Sequence, residues 1–414
     1  MSAPELRSAE LNPLPRLLMG PGPVNADPRV LRAMSAQLLG QFDPQFREYM
    51  RETMVLYRRV FETANEWTLV VDGTARSAIE AAMVSAVAPG ERVLVGNFGR
   101  FGQLQIEIAR RVGADVRVLD APWGAVLDPG QIEASFKEHR PKLFAVCHGE
   151  TSTTMLQPLA ELGPLCRKYD VLLQVDATAS FGGVPLPTDA WGIDCVTAGL
   201  QKCLAGPPGA SPLTMSPRFT DIVLARRHIE EGLRPPGYQP PATPMIESNY
   251  FDMAGIVDYW SERGINHHTE ATSMLYAARE CGRIFLEEGA SYVFARHAQA
   301  GRALAAGVEA LGLKLFGDIG HKIPHITGVC VPEGLDGERV RATMLRDFNV
   351  EIGASFGPLK GKVWRIGTMG YCARKDAVLV TLAAFEAALA EAGMRLARGA
   401  GVDAAMAVYR RAEA

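Results

Sequence analysis

The sequence predicts an α/β fold built on a mostly parallel sheet, and two observations support this prediction. From about residue 26 to residue 215, segments with strand patterns alternate with segments that have the apolar spacing of helices. Several strand segments, such as VLLQV, are apolar almost throughout, as strands covered on both faces require. With 414 residues, 48% of them hydrophobic, the chain can bury one large core and a second, smaller one.

The apolar patterns predict five helices and six strands for the large domain. Helices are predicted in RVLRAMSAQLL, FREYMRETMVLYRRVFE, SAIEAAMVSAV, GQLQIEIARRVG and LAELGPLCRKY, and strands in WTLVVDG, RVLVGN, DVRVLDA, LFAVCHGE, VLLQVDA and DCVTAG. Beyond residue 290 we predict a long helix, the strands LKLFG, HITGVCV and KVWRIG, a helix near 337–348 and a last helix near 374–392. The resulting division is an N-terminal arm over 1–24, a large domain over 25–294 and a smaller C-terminal α+β domain over 295–414. The proline-rich MGPGPVN argues against a helix in the arm.

Composition excludes several classes of function. The 43 basic and 46 acidic residues nearly balance, which argues against a nucleic-acid or anionic-membrane partner and favours a small-molecule substrate. The seven cysteines lack C-x-x-C spacing, which argues against a zinc site or a disulfide framework and fits a reducing compartment. No apolar run is long enough for a membrane span, and the N-terminus lacks the pattern of a signal peptide. We therefore expect a cytoplasmic protein.

Two predicted strands end in side chains that can reach the same edge of the sheet. VLLQVDATAS ends a strand at Asp176, and the next strand ends just before Lys202 in TAGLQKCLAGPPG. The two residues could form a buried ion pair. They could also serve an aldehyde cofactor such as pyridoxal 5′-phosphate (PLP), which needs a lysine to bind it covalently and a carboxylate beside its ring nitrogen. The stiff GPPG after Lys202 would hold such a lysine at a defined place.

A third feature provides a place for the phosphate of such a cofactor. In VVDGTARSAIEAAM the strand stops at Asp72, turns through Gly73 and gives way to a helix near Thr74 to Ser77. The free N–H groups and the positive end of that helix dipole form a seat for an anion. Most glycine turns of this kind bind nothing, but together with Asp176 and Lys202 the turn indicates a PLP site.

Six motifs occur in the order found in class V aminotransferases of the alanine-glyoxylate and serine-glyoxylate type. They are DGTARSAIEAA, HGETSTTMLQPL, QVDATAS, GLQKCLAGPPG, NHHTEAT and WRIGTMG, and the resemblance covers roughly residues 18–395. It implies a fold type I PLP-dependent transferase with a seven-stranded, mostly parallel sheet. Within this group MGPGPVNADPRVLRAM, GQFDP, FGRFG and TSTTMLQPLAEL look most like the ureidoglycine-glyoxylate aminotransferases of purine (allantoin) breakdown.

The resemblance implies a role for each matching residue. Lys202 would bind the cofactor covalently and Asp176 would pair with its ring nitrogen. Phe101 matches the aromatic residue that stacks on the ring, where relatives often have tryptophan, and phenylalanine can stack too. Thr151 matches a hydroxyl near the phenolic oxygen of the cofactor. The positions that match phosphate-binding residues are Thr74, Ala75, Arg76 and Gln201.

Further matches concern the substrate and the neighbouring subunit. Thr269 in NHHTEAT matches a residue that reaches the phosphate of the neighbouring subunit, which implies a homodimer with shared active sites. Arg365 in WRIG matches the arginine that binds the substrate carboxylate, a task that suits its planar, two-pronged guanidinium. The implied reaction is transfer of an amino group to glyoxylate, with Lys202 as the general base at the α-carbon of the donor.

The amino donor is predicted from three departures from the alanine- and serine-using relatives. Asn266 stands where these commonly have tyrosine, Thr154 where they have glycine, and Gln41 where many have histidine. All three introduce hydrogen-bonding groups that suit a ureido group and that an alkyl donor would leave unpaired. We therefore expect (S)-ureidoglycine as the donor, with Gln41 and Thr154 binding the ureido end and Asn266 leaving room for it. An alanine- or serine-glyoxylate aminotransferase is the alternative.

Other classes of function are less well supported by the sequence. A cysteine desulfurase-like lyase needs a reactive cysteine in a mobile loop, and neither Cys330 nor Cys372 lies in a glycine- and serine-rich segment. A non-catalytic relative would be expected to lose Lys202, Asp176 or Arg365, which are all present. The paired histidines of NHHT have no clear third ligand in the sequence, so no metal site is expected.

Overall fold

The computed structural model describes residues 10–413. These residues contain thirteen α-helices: α1 (Pro28–Met34), α2 (Pro44–Val60), α3 (Ala75–Ala86), α4 (Arg100–Arg111), α5 (Pro129–His139), α6 (Leu162–Lys168), α7 (Pro217–Ala225), α8 (Met253–Trp260), α9 (Thr272–Glu288), α10 (Ala290–Ala310), α11 (Gly337–Phe348), α12 (Lys375–Glu391) and α13 (Ala400–Glu413). Of these helices, none combines the length and apolar character needed to span a bilayer.

The strands of the same residues form four sheets. They are β1 (Leu17–Leu18), β2 (Trp67–Gly73), β3 (Arg92–Asn97), β4 (Asp115–Asp120), β5 (Leu143–Cys147), β6 (Gly149–Glu150), β7 (Met155–Leu156), β8 (Leu172–Asp176), β9 (Cys195–Thr197), β10 (Gly209–Met215), β11 (Ile326–Cys330), β12 (Val350–Glu351), β13 (Gly353–Ala354) and β14 (Val363–Gly367).

The central sheet has seven strands in the order β2-β10-β9-β8-β5-β3-β4. All of its pairs are parallel except those of β10, which runs antiparallel to both β2 and β9. This confirms the predicted α/β class and the mostly parallel seven-stranded sheet. Strand β10 was not predicted, since GASPLTM contains a proline, Pro212, that offers no N–H. Its carbonyl still accepts a hydrogen bond from the N–H of Ala198, at 2.9 Å.

Helices cover the sheet and bury its apolar strands in one large core. Helix α2 begins at Pro44, after Asp43 caps it by accepting a hydrogen bond from the N–H of Gln45, and buries Phe46 and Tyr57. The helix predicted in RVLRAMSAQLL ends early, at Met34. In LFAVCHGE the sheet strand ends at Cys147, and residues 149–150 instead pair with β7 in a separate hairpin. This break places a hairpin at the carboxyl edge of the sheet.

A second core lies among the C-terminal elements. Strands β11, β14 and β13 form an antiparallel sheet, α10 packs on β11, and α11, α12 and α13 pack with one another and with α10 in the same core. The predicted strand LKLFG was wrong, because Leu315 makes only an isolated bridge to Val329. The helix predicted near 374–392 is α12, and it does not close the chain, because α13 follows and packs on α10. The domain boundary predicted at residue 295 falls within α10.

The N-terminal arm runs along both parts of the molecule. Its first nine residues lie outside the described residues, and β1 then pairs in parallel with β12 of the small sheet. Met19 is fully buried in the second core, and its carbonyl accepts a hydrogen bond from the N–H of Gly367 at 2.7 Å. Five residues later the N–H of Val24 donates to the carbonyl of Gln201. The arm therefore links the small sheet to the loop that carries Lys202.

Candidate active site

One cavity of about 200 Å³ opens at the carboxyl ends of the parallel strands, where ligands of open α/β sheets bind. It is lined by Thr74, Ala75, Arg76, Ile79, Arg100, Phe101, Leu104, Gly149, Thr151, Asp176, Thr178, Ala179, Gln201 and Lys202. Eight of the predicted site residues are among them. The cavity is therefore where the lysine, the aspartate and the anion seat inferred from sequence come together.

Lys202 is buried in the loop after β9, and the arm lies against its amine. Its Nζ donates a hydrogen bond to the carbonyl of Pro21. Gly22 adopts φ +102°, a conformation that favours glycine, and a methyl group there would displace the lysine side chain. Burial and the positive charge of Arg365 lower the pKa of Lys202 to about 8. About a tenth of this amine is therefore unprotonated at neutral pH, far more than of a lysine with the usual pKa of about 10.4.

Asp176 is the last residue of β8, and its carboxylate is buried. One carboxylate oxygen accepts a hydrogen bond from the N–H of Thr178 at 2.9 Å, and the other faces the thiol of Cys147 at 3.8 Å. Burial raises the pKa of Asp176, and these contacts offset the rise only in part. Among residues 10–413 no lysine or arginine lies within ion-pair distance of this carboxylate. A cationic group in the cavity would therefore be stabilised beside it.

The turn between β2 and α3 provides the anion seat. Gly73 adopts φ +112°, a conformation that favours glycine, and Thr74 precedes the helix without capping it through its side chain. The Oγ of Ser77 and the Oε1 of Gln201 are buried and have no hydrogen-bond partner among the described residues. Free backbone N–H groups, the helix dipole and these unpaired polar atoms together suit a phosphate.

The cavity fits PLP on these observations. Lys202 could bind its aldehyde, Asp176 could hold a proton on its ring nitrogen, and the α3 turn could hold its phosphate. The ring of Phe101, on the first turn of α4, could cover one face of the pyridine ring.

Arg365 lies on β14 next to this cavity and is buried. Its Nε and Nη2 donate to the carbonyl of Ala354 at 2.8 and 2.5 Å, and its Nη1 donates to the carbonyl of Thr151 at 3.0 Å. One N–H on each terminal nitrogen is left, an arrangement that suits a carboxylate. The ring of Phe356 lies between two guanidinium groups, 4.7 Å from Arg365 and 4.5 Å from Arg100.

Glu150 is fully buried, and the sequence analysis missed its role. Its Oε2 accepts hydrogen bonds from the N–H groups of Phe101 and Gly102, at 2.8 and 3.3 Å, so it caps α4 from outside the helix. Its Oε1 accepts two bonds from Ser152, whose hydroxyl in turn accepts the N–H of Arg100. Glu150 therefore positions the first turn of α4, which carries Phe101.

Besides Arg365, four predicted residues do not line this cavity. The Nε2 of Gln41 donates to the Oδ1 of Asn266 at 2.9 Å, so these two residues are neighbours, as a shared role would require. Thr154 is fully buried, and its hydroxyl accepts a hydrogen bond from Lys322 at 3.0 Å, away from the Gln41–Asn266 pair. Thr269 is exposed. The roles of these four residues stay predictions.

Fold and cavity together define a PLP-dependent transferase on a doubly covered, mostly parallel sheet. The family model for class V aminotransferases matches residues 20–225. The chain belongs to the class V aminotransferases, which are PLP-dependent enzymes.

Two relatives and one crystal structure place the chain within this family. It is 48% identical to (S)-ureidoglycine–glyoxylate transaminase of Bacillus subtilis over 404 residues, 96% of each protein. It is 35% identical to alanine–glyoxylate aminotransferase of Drosophila melanogaster, over 90% of this chain and 92% of the relative. The crystal structure of ureidoglycine-glyoxylate aminotransferase from Bacillus subtilis superimposes with a TM-score of 0.92 at 48% identity, covering 97% of this chain and all of the other.

The structure gives no support to a desulfurase-like cysteine. Cys330 ends β11 and Cys372 is buried in a short 3₁₀ turn, and neither lines the cavity.

We expect Glu150→Ala to lower the free energy of unfolding by about 2 to 4 kcal/mol, because it leaves the buried N–H groups of α4 and Ser152 without an acceptor. Glu150→Gln should cost less, since one carbonyl oxygen remains. Urea unfolding of the holoenzyme measures both, with Glu107→Gln on the exposed face of α4 as the control, expected within about 0.5 kcal/mol of the parent. An alanine variant as stable as the control would contradict the capping role.

Proposed function

We propose that this aminotransferase moves the amino group of (S)-ureidoglycine to glyoxylate, giving glycine and a 2-oxo ureido acid in purine (allantoin) catabolism. The observation that carries the proposal is the full-length similarity to the Bacillus subtilis enzyme of that name, at 48% identity, against 35% for the Drosophila melanogaster alanine enzyme. The neighbouring side chains of Gln41 and Asn266 add residue-level support. We place the reaction in the cytoplasm.

Each cavity residue has a proposed task. PLP, when bound, supplies an electron sink that makes the α-hydrogen of an attached amino acid acidic. Asp176 keeps a proton on the ring nitrogen, and Phe101 holds the ring in place. The phosphate is held by the α3 turn, through Thr74, Ala75 and Arg76, and by the neighbouring Gln201.

Lys202 is the proposed general base. Its Nζ takes the proton from the α-carbon of the donor. It later delivers a proton to the carbon that becomes the α-carbon of the product. Burial and Arg365 lower the pKa of this amine to about 8, so its free base is populated at neutral pH. The buried site also excludes water, which would compete for the proton.

Arg365 is the proposed carboxylate site for both substrates. Ureidoglycine and glyoxylate each carry a carboxylate, and the free N–H groups of the guanidinium can bind its two oxygens in parallel. Thr151 connects Arg365 to the cavity. The carbonyl of Thr151 accepts one hydrogen bond from Arg365, and Thr151 also lines the cavity.

We propose that two chains form a homodimer in which each completes the other's site. Gln41, Asn266 and Thr269 do not line their own cavity, and a partner subunit could bring them to it. Large apolar side chains are exposed on both sides of Gln41, with Leu38 60% and Phe42 69% exposed. Such neighbouring apolar side chains are typical of a surface that a partner covers.

The donor preference follows from the polar groups near that surface. Gln41 has a buried Oε1 without a partner among the described residues, and its amide donates to Asn266. A ureido group offers N–H donors for such an oxygen, and the methyl group of alanine offers none. Thr154 would act indirectly, through the hydrogen bond that its hydroxyl accepts from Lys322.

We expect Lys202→Ala to lose both the covalently bound cofactor and nearly all turnover, because no other amine of residues 10–413 lines the cavity. Borohydride reduction followed by peptide mapping should label Lys202 in the parent enzyme. Lys322→Ala is the matched control for covalent cofactor binding, because burial also lowers the pKa of that lysine to about 8. A label on Lys322 or on any other lysine would refute the assignment.

Arg365→Ala should leave cofactor absorbance intact and lower kcat/KM for both the donor and glyoxylate by about 30- to 1000-fold, equivalent to about 2 to 4 kcal/mol for a lost bidentate contact. Arg341→Ala, which removes a nearby half-buried guanidinium bonded to the carbonyl of Ile352, is the control. Unchanged kcat/KM for both substrates would exclude Arg365 from the site.

Gln41→His should lower kcat/KM for freshly prepared (S)-ureidoglycine about tenfold and change kcat/KM for alanine much less, since only the ureido group loses a hydrogen-bond partner. Gln45→His, on the first turn of α2, is the matched control. The donor proposal fails if both donors lose equally, or if the unmodified enzyme prefers alanine, and the aminotransferase assignment would survive either result.

A further inference from the structure

We propose that Asp72, His268 and Glu270 form a binding site for a divalent metal ion, with Zn²⁺ favoured by one imidazole and two carboxylate ligands. The histidine pair of NHHT has no clear third ligand nearby in the sequence, and the fold brings Asp72 to it from the end of β2. The site is separate from the cavity that fits PLP, because none of its three residues lines that cavity.

The geometry suits a small cation. The Nε2 of His268 is 3.2 Å from the Oδ2 of Asp72 and 3.8 Å from the Oε2 of Glu270, and one atom from each residue lies within 4.8 Å of the others. Ligand atoms about 2.0 to 2.2 Å from a zinc ion have mutual separations of this order. The side chains of Asp72, His268 and Glu270 are 7%, 12% and 1% exposed, so the ion would be largely shielded from water.

A chain of hydrogen bonds sets the tautomer of His268. The Nε2 of His267 lies 3.0 Å from the carbonyl of Asn249, which can only accept, so this nitrogen carries the proton of a neutral imidazole. The Nδ1 of His267 is then an acceptor for the Nδ1 of His268, 2.7 Å away. The Nε2 of a neutral His268 therefore carries a lone pair, and it faces two carboxylates. Such an outer hydrogen bond also orients metal-binding histidines.

One possible ligand atom from each of the three residues thus lies in the same small, buried space. The Oε2 of Glu270 is buried and has no hydrogen-bond partner among the described residues, while the Oδ2 of Asp72 accepts one bond from the N–H of Ala271. Within residues 10–413, neither carboxylate has a lysine or arginine within 4.0 Å. Two carboxylates that were both ionised in this buried site without a counter-ion would be costly, and a divalent cation would offset both charges at once. A proton shared by the three groups is the competing account.

The ion would fix one segment of the chain to another. Asp72 directly precedes Gly73 and Thr74 of the anion-binding turn, whereas His268 and Glu270 flank Thr269. A metal ion bound here would hold the segment that carries Thr269 against that turn. Three protein ligands leave a fourth position, and a water molecule could fill it. The burial of the three ligands and their place outside the cavity that fits PLP favour a structural role for this site.

Zinc binding to the holoenzyme tests the proposal. After dialysis against a chelator and then against metal-free buffer, calorimetric titration with Zn²⁺ should give one site per chain with a Kd of micromolar or tighter. Elemental analysis after gel filtration should count one zinc per chain. Glu270→Gln and His268→Gln should each raise Kd at least tenfold. Glu262→Gln, which changes an exposed carboxylate in the same segment, should leave binding unchanged.

Two results would overturn the proposal. The first is a parent enzyme that retains no zinc under these conditions, which would leave the shared proton as the account of the cluster. The second is zinc uptake by Glu270→Gln and His268→Gln equal to that of the parent, which would place the metal elsewhere. Circular dichroism and the cofactor spectrum show whether each variant has folded. If neither variant folds, the zinc affinity of Asp72→Asn and the zinc count of the parent decide between the metal site and the shared proton.

Discussion

The burial of one amine, that of Lys202, imposes a constraint on which much of the surrounding structure depends. A buried amine needs an acceptor and tolerates little positive charge nearby, and here the acceptor is a backbone carbonyl of the arm. The same burial lowers its pKa to about 8. The charge of neighbouring Arg365 lowers the pKa of Lys202 further. Burial of Arg365 in turn lowers the pKa of that guanidinium to about 10. The two cations share one low-dielectric region, which favours anionic ligands there.

Asp176 shows the opposite effect of the same environment. Burial raises the pKa of this carboxyl group, whereas it lowers the pKa of Lys202. A site that pushes an acid and a base toward their neutral forms holds each ready to pair with a group of the cofactor or the substrate. Glu150 belongs to the same pattern, because burial raises its pKa while hydrogen bonds from Ser152 and the start of α4 favour its charged form.

The sequence predicted the parts of the fold that depend on local pattern. Strands β2, β3 and β4 and helix α11 lie where periodicity and turn residues put them, and the lysine, the aspartate and the anion-binding turn follow from their places at strand ends. Strand β10 was missed because its proline and glycine mask a strand whose partners are remote in sequence.

The contacts of the site were harder to predict because they join residues that are remote in sequence. Glu150 acts on the backbone of a helix some fifty positions away, and the carbonyl of Pro21 reaches Lys202 only because the arm pairs with the small sheet. No local pattern marks either residue. Asp72 was identified as the end of a strand before the anion-binding turn, but its closeness to His268 depends on how the segment 261–271 folds back.

The course of the arm has a mechanical consequence. Strand β1 is hydrogen-bonded to β12 of the small sheet, and Met19 is bonded to Gly367 of the same sheet, while Pro21 and Gly22 lie against the amine of Lys202. Only two residues separate Met19 from Gly22, too few to absorb a displacement of several ångströms. Any rotation of the small sheet against the large one would therefore pull the carbonyl of Pro21 along with it. Lys202 would lose or regain its hydrogen-bond acceptor as the sheet rotates. The arm would therefore couple domain movement to the hydrogen bonding of the catalytic base.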